Sequence, residues 1–163
     1  MNKTFAIALA GGVAVMAVAI TAMLYMQRGA RMGLTSQVLK VRTASLDENS
    51  SVVVLDFRIT NPSYVVFVIR SVKVILENND GKQFEGQTIA EQDAKRLFEG
   101  IPVLGQKFND TLVIRERVAG GSTADRMVAA RFAAPLSIIE ARKRFLIRIE
   151  DADGQTVTEL SEK

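Results

Sequence analysis

Few residues in this chain are of types that do chemistry. Among 163 residues there is no His and no Cys. The commonest general base, the commonest metal ligand and the thiol nucleophile are therefore absent, and disulfides are excluded. A handful of local patterns remain. Asp151-Ala152-Asp153-Gly154 opens like a calcium loop, but such a loop needs further oxygen ligands. Gln155, Thr156 and Val157 follow instead, so a hairpin turn is the better reading. Ser71 and Lys73 share a strand face, the spacing of a Ser-Lys pair. No oxyanion partner accompanies them, and strand alternation alone explains the spacing. Arg142-Lys143-Arg144 and Arg115-Glu116-Arg117 are charge clusters without interleaved aromatics for stacking on bases. They read as solvated strand edges that discourage edge-to-edge pairing. Gly120-Gly121 lacks the strand–GxGxxG–helix setting of a nucleotide site and reads as a turn. No enzyme, cofactor, metal, nucleic acid or small-molecule substrate is expected from these residues.

The elements that would position any such residues are mainly strands. Ser51–Thr60 alternates cleanly, with Val53, Leu55, Phe57 and Ile59 on one face and Asp56, Arg58 and Thr60 on the other. That is the period of a half-buried strand. Asn61-Pro62-Ser63 stops it, because proline cannot donate to a ladder. Tyr64–Glu77 is a second β run. Val72, Val74 and Leu76 share a face while Phe67 and Ile69 fall on the other, so the phase slip near Arg70-Ser71 predicts a bulge or a change of sheet. Asn79-Asp80-Gly81 signals a hairpin into a strand near Lys82–Gln87. Further strands are expected at Gln37–Ala44, Thr111–Val118, Asp125–Ala133, Arg144–Glu150 and Gln155–Leu160. Seven or eight strands in this length indicate an antiparallel β-sandwich.

Two short helices interrupt the pattern. Thr88-Ile89-Ala90-Glu91 has the form of a capping box. Ala90, Ala94, Leu97 and Phe98 follow at helical spacing, and Gly100 and Pro102 end the helix. A second helix follows Pro135, with Leu136, Ile138 and Ile139 as its apolar positions. Between the two lies Gly100–Asn109, a loop carrying Val103, Leu104 and Phe108. Apolar loops are unusual. The segment either contacts a partner or folds back over one end of the sandwich.

The stretch Val52–Leu76, VVVLDFRITNPSYVVFVIRSVKVIL, resembles the water-stress and hypersensitive-response (WHy) domain of the group-2 late-embryogenesis-abundant (LEA14-like) proteins. Asn61 and Pro62 match that family's Asn-Pro, and Gly81 stands where its turn glycine is expected. The resemblance implies a small β-sandwich like an immunoglobulin or fibronectin type III domain. It also implies stress protection or adhesion-like binding, with no catalytic residues to carry over.

The N-terminus gives the remaining expectation. Phe5–Met26 contains no charged residue, and its length as a helix, about 33 Å, matches a hydrocarbon core of ~30 Å. Ala17-Val18-Ala19 fits a signal-cleavage rule but lies inside the run, so an uncleaved anchor is the reading. Lys3, Arg28 and Arg31 flank the run and leave the rest of the chain with equal numbers of basic and acidic groups. Ala6, Ala10 and Ala14 form a small-residue ridge on which two helices can pack. The sequence thus predicts residues 1–32 as tail, single transmembrane helix and tether, and residues 33–163 as a β-sandwich with one or two helical inserts. The soluble part is expected on the extracytoplasmic, periplasmic side. The function expected is that of a non-enzymatic, membrane-tethered stress-protection or envelope interaction module. The alternative is an accessory subunit of a larger membrane complex. Under either reading the possible partner contacts are Val103, Leu104, Phe108, Ala6, Ala10 and Ala14.

Overall fold

The computed structural model describes residues 3–27, 33–154 and 157–162. It divides into two compact units, Met1–Met32 and Gly33–Lys163. The first contains helix α1, Lys3–Gln27. Its side chains are described over Gly11–Tyr25, fifteen residues, and all of them are exposed. Among the described residues no helix is long and apolar enough to cross a membrane. This overturns the expected single-span anchor, and with it the single-pass placement with an extracytoplasmic domain.

The second unit is built from β1 (Thr35–Asp47), β2 (Ser50–Thr60), β3 (Phe67–Glu77), β4 (Gln83–Thr88), β5 (Asp110–Thr111), β6 (Arg117–Val118), β7 (Thr123–Phe132), β8 (Arg144–Asp151) and β9 (Val157–Ser161), with helices α2 (Glu91–Gly100) and α3 (Leu136–Glu140). The expected mainly β, antiparallel build is what forms. The strands make one connected, curled sheet in the order β1-β2-β7-β4-β3-β8-β9. β4 is the reason. Its first half pairs with β3 through Gln83–Gly86, and its end pairs with β7 through Gln87 and Thr88, so one strand bridges both halves. The ends of the sheet approach where the Leu34 amide donates to the Thr158 hydroxyl at 2.9 Å. All pairings are antiparallel except β5 with β7, which is parallel.

The sheet curls around one core. Val53, Leu55, Phe57 and Ile59 of β2 meet Val128 and Ala130 of β7, and Ile147 and Ile149 of β8. The phase slip in β3 is a real register shift between Ile69 and Ser71 in its ladder with β8. It lets Phe67 and Ile69 join Val74 and Leu76 in the same core although their parity in sequence differs. The strand begins at Phe67, not Tyr64. The expected strand Thr111–Val118 is two short ones, β5 and β6, separated by a turn in which Arg115 takes φ 70° and its amide donates to the Ile69 carbonyl at 2.7 Å.

Two corners show how turn chemistry fixes this topology. Asn61 is fully buried, and its Nδ2 donates to the Val65 and Val118 carbonyls at 2.8 and 2.9 Å. Its Oδ1 accepts the Ser63 amide at 3.0 Å. The side chain thereby straps the 61–65 turn to β6. A Cβ on Gly120 would sit 2.6 Å from the Tyr64 carbonyl carbon, so only glycine lets the two backbones meet there. The hairpin glycine Gly81 has φ 80°, and the Asn78 side chain accepts the amides of Asp80 and Lys82.

The basic triplet is not a solvated edge. β8 lies inside the sheet between β3 and β9, and every member of the triplet has an acid. Arg142 meets Glu162 at 2.6 Å, and its guanidinium covers the Phe145 ring at 4.5 Å. Lys143 and Arg144 both reach Glu77 at 2.9 Å. Hydrogen bonds from Lys143 and then Arg144 hold the Glu77 carboxyl below its ordinary value of 4.5. The Ser50 hydroxyl lowers Asp47, and Arg58 lowers Asp125, each from an ordinary 3.8.

Two predictions follow from this packing. Phe57 has no exposed surface, so Phe57→Ala leaves a large cavity and should cost about 3–5 kcal/mol, read by chemical denaturation. The pH dependence has a definite sign. Groups with lowered folded values bind fewer protons folded than unfolded. Their stabilisation is complete above the ordinary carboxyl values and is lost as pH falls below about 4.5 and through the lower folded values. Stability should therefore drop on acidification from pH 5 to 3, and Glu77→Gln should shallow that slope, as measured by denaturation midpoints across the range.

Candidate functional site

The outer face of β2 holds a charge inside the protein. Val52 and Val54 on that face are fully buried, and between them and Arg58 stands Asp56. The sequence pattern places Asp56 toward solvent, and the structure corrects this. Asp56 pairs with Arg42 of the adjacent strand β1 at 2.7 Å, with side-chain exposures of 4 % and 7 %. The two residues come together because Arg42 pairs in register with Val54, next to Lys40 opposite Asp56. The Asn109 amide donates to the other Asp56 oxygen at 2.9 Å. Arg42 also donates to the carbonyls of Leu104 and Gln106 at 2.8 and 2.7 Å, while its Nε has no partner. A buried pair of this kind repays desolvation only when further hydrogen bonds complete it.

These bonds pin the loop Gly100–Asn109 onto the sheet. A second apolar cluster lies beneath it. Ala44, Val52, Val54, Met127 and Ala129 of the sheet pack with Ala94 of α2 and Leu104, and Ile89, Leu97, Phe98 and Ile101 close the margin. α2 therefore uses the expected Ala94, Leu97 and Phe98 face. It does not use the expected capping box. The helix starts at Glu91 with Ala90 as an uncapped N-cap, and Thr88 is still in β4, where its hydroxyl donates to the Val72 carbonyl at 3.1 Å. Pro102–Leu104 forms one 3-10 turn that drives Leu104 inward.

The three loop residues singled out by sequence separate. Leu104 is 1 % exposed and belongs to the core, whereas Val103 and Phe108 are 77 % and 64 % exposed. The Phe108 ring is held by cations, with Lys40 Nζ at 5.5 Å and the Arg42 guanidinium at 5.6 Å from its centroid. Arg42 also lies 4.9 Å from the Phe98 ring. The guanidinium thus serves both rings, the loop carbonyls and Asp56 at once. Val103 and Phe108 stand on a platform fixed by buried bonds. Beside it a shallow depression of about 430 Å³ is lined by Lys95, Phe98, Glu99, Gly105, Gln106 and Lys107. Of the helix residues, Ala14 is exposed, and the side chains of Ala6 and Ala10 lie outside the described residues.

The other chemical patterns are occupied by structural contacts. The Ser71 hydroxyl donates to Glu150 at 2.8 Å and Lys73 pairs with Glu85 at 3.2 Å, so the two do not address each other. The Asp151 carboxylate accepts the amides of Val68 and Ala152. Glu116 pairs with Arg126 at 2.7 Å. Among the described residues, no group of three or more His, Cys, Asp or Glu is placed to hold a metal ion. Arg42, Asp56 and Asn109 are the residues that sequence reasoning misses. The available signal is local: valines on both faces of β2 imply burial on both sides, and a lone aspartate there then requires a cation.

No family model, curated protein or solved structure matches this chain.

Removing one member of the buried pair leaves the other charge uncompensated. Asp56→Ala should destabilise the fold by about 3–5 kcal/mol. It should also release the 100–109 loop, seen as faster amide exchange at the loop relative to the β2–β7 core.

Proposed function

We propose that this chain is a non-catalytic binding module whose contact surface is the Val103–Phe108 platform. The observation that carries the reading is the pairing of two exposed apolar side chains with a rigid, buried support. A loop that merely covered the core would bury Val103 and Phe108 with Leu104. Here the support is tight and the tips are bare, the arrangement of an anchor residue presented to a partner. Lys40 stands at the Phe108 ring, and Lys95, Glu99 and Lys107 line the adjoining depression, so the apolar centre is bordered by charges of both signs. The resemblance of Val52–Leu76 to the water-stress and hypersensitive-response domain supports binding over turnover, and with it a stress-protection or interaction role. The absence of His and Cys points the same way.

A second reading makes the chain an accessory subunit of a larger complex, held through α1. The exposure of Ala14, Val18 and the other described side chains of that helix favours it, because bare apolar surface of this extent gains free energy when a partner covers it.

The two readings part on one experiment. The double variant V103S/F108S should fold with stability within about 0.5 kcal/mol of the parent, the range of surface changes. It should lose stoichiometric partners in co-purification followed by native sizing. Retained partners with an intact fold would remove the platform from the reading and leave α1 as the contact.

A further inference from the structure

The arginines of the second unit fall into two sets. All but three meet a carboxylate within 3.7 Å. The exceptions are Arg70, Arg115 and Arg117, all of them exposed. Among the described residues their guanidinium groups have no acid, hydrogen-bond acceptor or ring as partner.

The fold brings these three to one place. Arg117 stands opposite Val68 in the β3–β6 ladder, and the Arg115 amide donates to the Ile69 carbonyl at 2.7 Å. Arg70 is the next residue of β3, and its Nη1 lies 2.7 Å from where a Cβ on Gly154 would sit. By strand geometry all three Cα atoms lie within about 7 Å of the Ile69 Cα. The nearby acids do not neutralise them. Glu116 pairs with Arg126 at 2.7 Å, and the Asp151 carboxylate accepts the Val68 and Ala152 amides. Asp153, exposed in the turn with Gly154, makes no ion pair among the described residues.

Arg115 carries a second mark. Among the described residues it is the one non-glycine with a positive φ, 70°. Glycine or asparagine takes that conformation at less cost, so the turn itself does not favour a long cation there. Such an outlier points to a use for the side chain. The surroundings then choose among anions. Ile114 beside Arg115 is 66 % exposed, and Val65 and Val66, which lead into β3, are exposed too. Neither Val68–Arg70 nor Arg115–Arg117 carries an aromatic for stacking on bases. Arginines beside bare aliphatic groups suit a protein segment that bears acidic and aliphatic side chains. In an extended segment, alternate side chains point one way at a spacing of about 7 Å, the scale on which the three arginines are set out.

We propose that Arg70, Arg115 and Arg117 form a second contact surface, which takes an extended acidic segment of a partner protein. Carboxylates pair with the guanidinium groups, and the aliphatic side chains between them lie against Ile114 and Val66. The surface belongs to β3 and β6, whereas the Val103–Phe108 platform is tied to β1 and β2, so it does not rest on that reading.

The test titrates the full chain with Ac-Glu-Val-Glu-Val-Glu-amide, with the same peptide carrying Gln for Glu, and with octathymidylate, and follows backbone amide resonances. The acidic peptide should shift the amides of residues 66–70 and 114–118 and bind about tenfold or more tightly than its neutral counterpart or the oligonucleotide. Raising salt from about 50 to about 300 mM should weaken it several-fold, because exposed charges are screened. Arg70→Gln combined with Arg117→Gln should weaken it about tenfold. Arg115→Gly should weaken it several-fold while the denaturation midpoint holds or rises, since glycine accepts the positive φ; it decides alone if the double variant is unstable. Three outcomes overturn the proposal. The acidic and neutral peptides bind equally or not at all; octathymidylate binds the same amides more tightly than the acidic peptide, which makes this a nucleic-acid surface; or the Arg115→Gly chain binds the peptide as the parent does or fails to fold.

Discussion

A single carboxylate organises the outer layer of this protein. Asp56 sits in the middle of β2, the strand with the least exposure, on the face opposite the main core. A charge there is tolerable only if a cation meets it and the remaining hydrogen-bonding capacity is filled. Arg42 supplies the cation from the neighbouring strand, and Asn109 fills the second oxygen. The remaining donors of Arg42 then reach the carbonyls of Leu104 and Gln106. The covering loop is therefore fastened by the same group that neutralises the strand. Helix α2 and the 3-10 turn sit where they do because Leu104, Ala94 and Phe98 complete the apolar surround of that pair.

The inner layer follows a different logic. Its strands are joined by β4, which leaves one half of the sheet and enters the other. The sheet must curl for one six-residue strand to serve both halves, and curling lets both halves close on a common core. The corners are held by polar side chains in place of apolar ones. Asn61 straps a turn to β6, and Glu77 and Glu162 gather the basic run at the start of β8. These contacts position backbone. They also consume the residues that would otherwise suggest chemistry, which is why the Ser71, Lys73 and Asp151 patterns dissolve into strand and turn contacts.

Much of what stays uncovered is apolar. Val103 and Phe108 project from a fixed loop, the described side chains of α1 are exposed, and the gap beside β4 is lined with aliphatic groups. The first and the last arise from structural causes already visible in the fold. The platform exists because its loop is tied down by Arg42, and the gap exists because β4 bridges the sheet. The binding role proposed for the platform uses a surface that this architecture leaves free.

The sequence by itself determined the local structure. Strict alternation in Val53, Leu55, Phe57 and Ile59 set the inner face of β2, because a period of two admits one buried face. The broken parity between Ile69 and Val72 announced the bulge, Asn79-Asp80-Gly81 the hairpin, and Ala94, Leu97 and Phe98 the packed face of α2. The long uncharged run at the N-terminus suggested a membrane span, which the described residues do not provide. Tertiary structure decided whatever depends on partners distant in sequence. That Asp56 is buried follows from Arg42, Asn109 and the loop at 104–106, none of which local periodicity can bring together. That Leu104 is core while Val103 and Phe108 are not follows from one 3-10 turn and two guanidinium bonds. Thr88 obeyed the β4 ladder and a bond to Val72, not the capping box, because strand pairing there satisfies more backbone groups than a cap would. Local patterning sets which way a side chain leans, and only the assembled sheet sets what it meets.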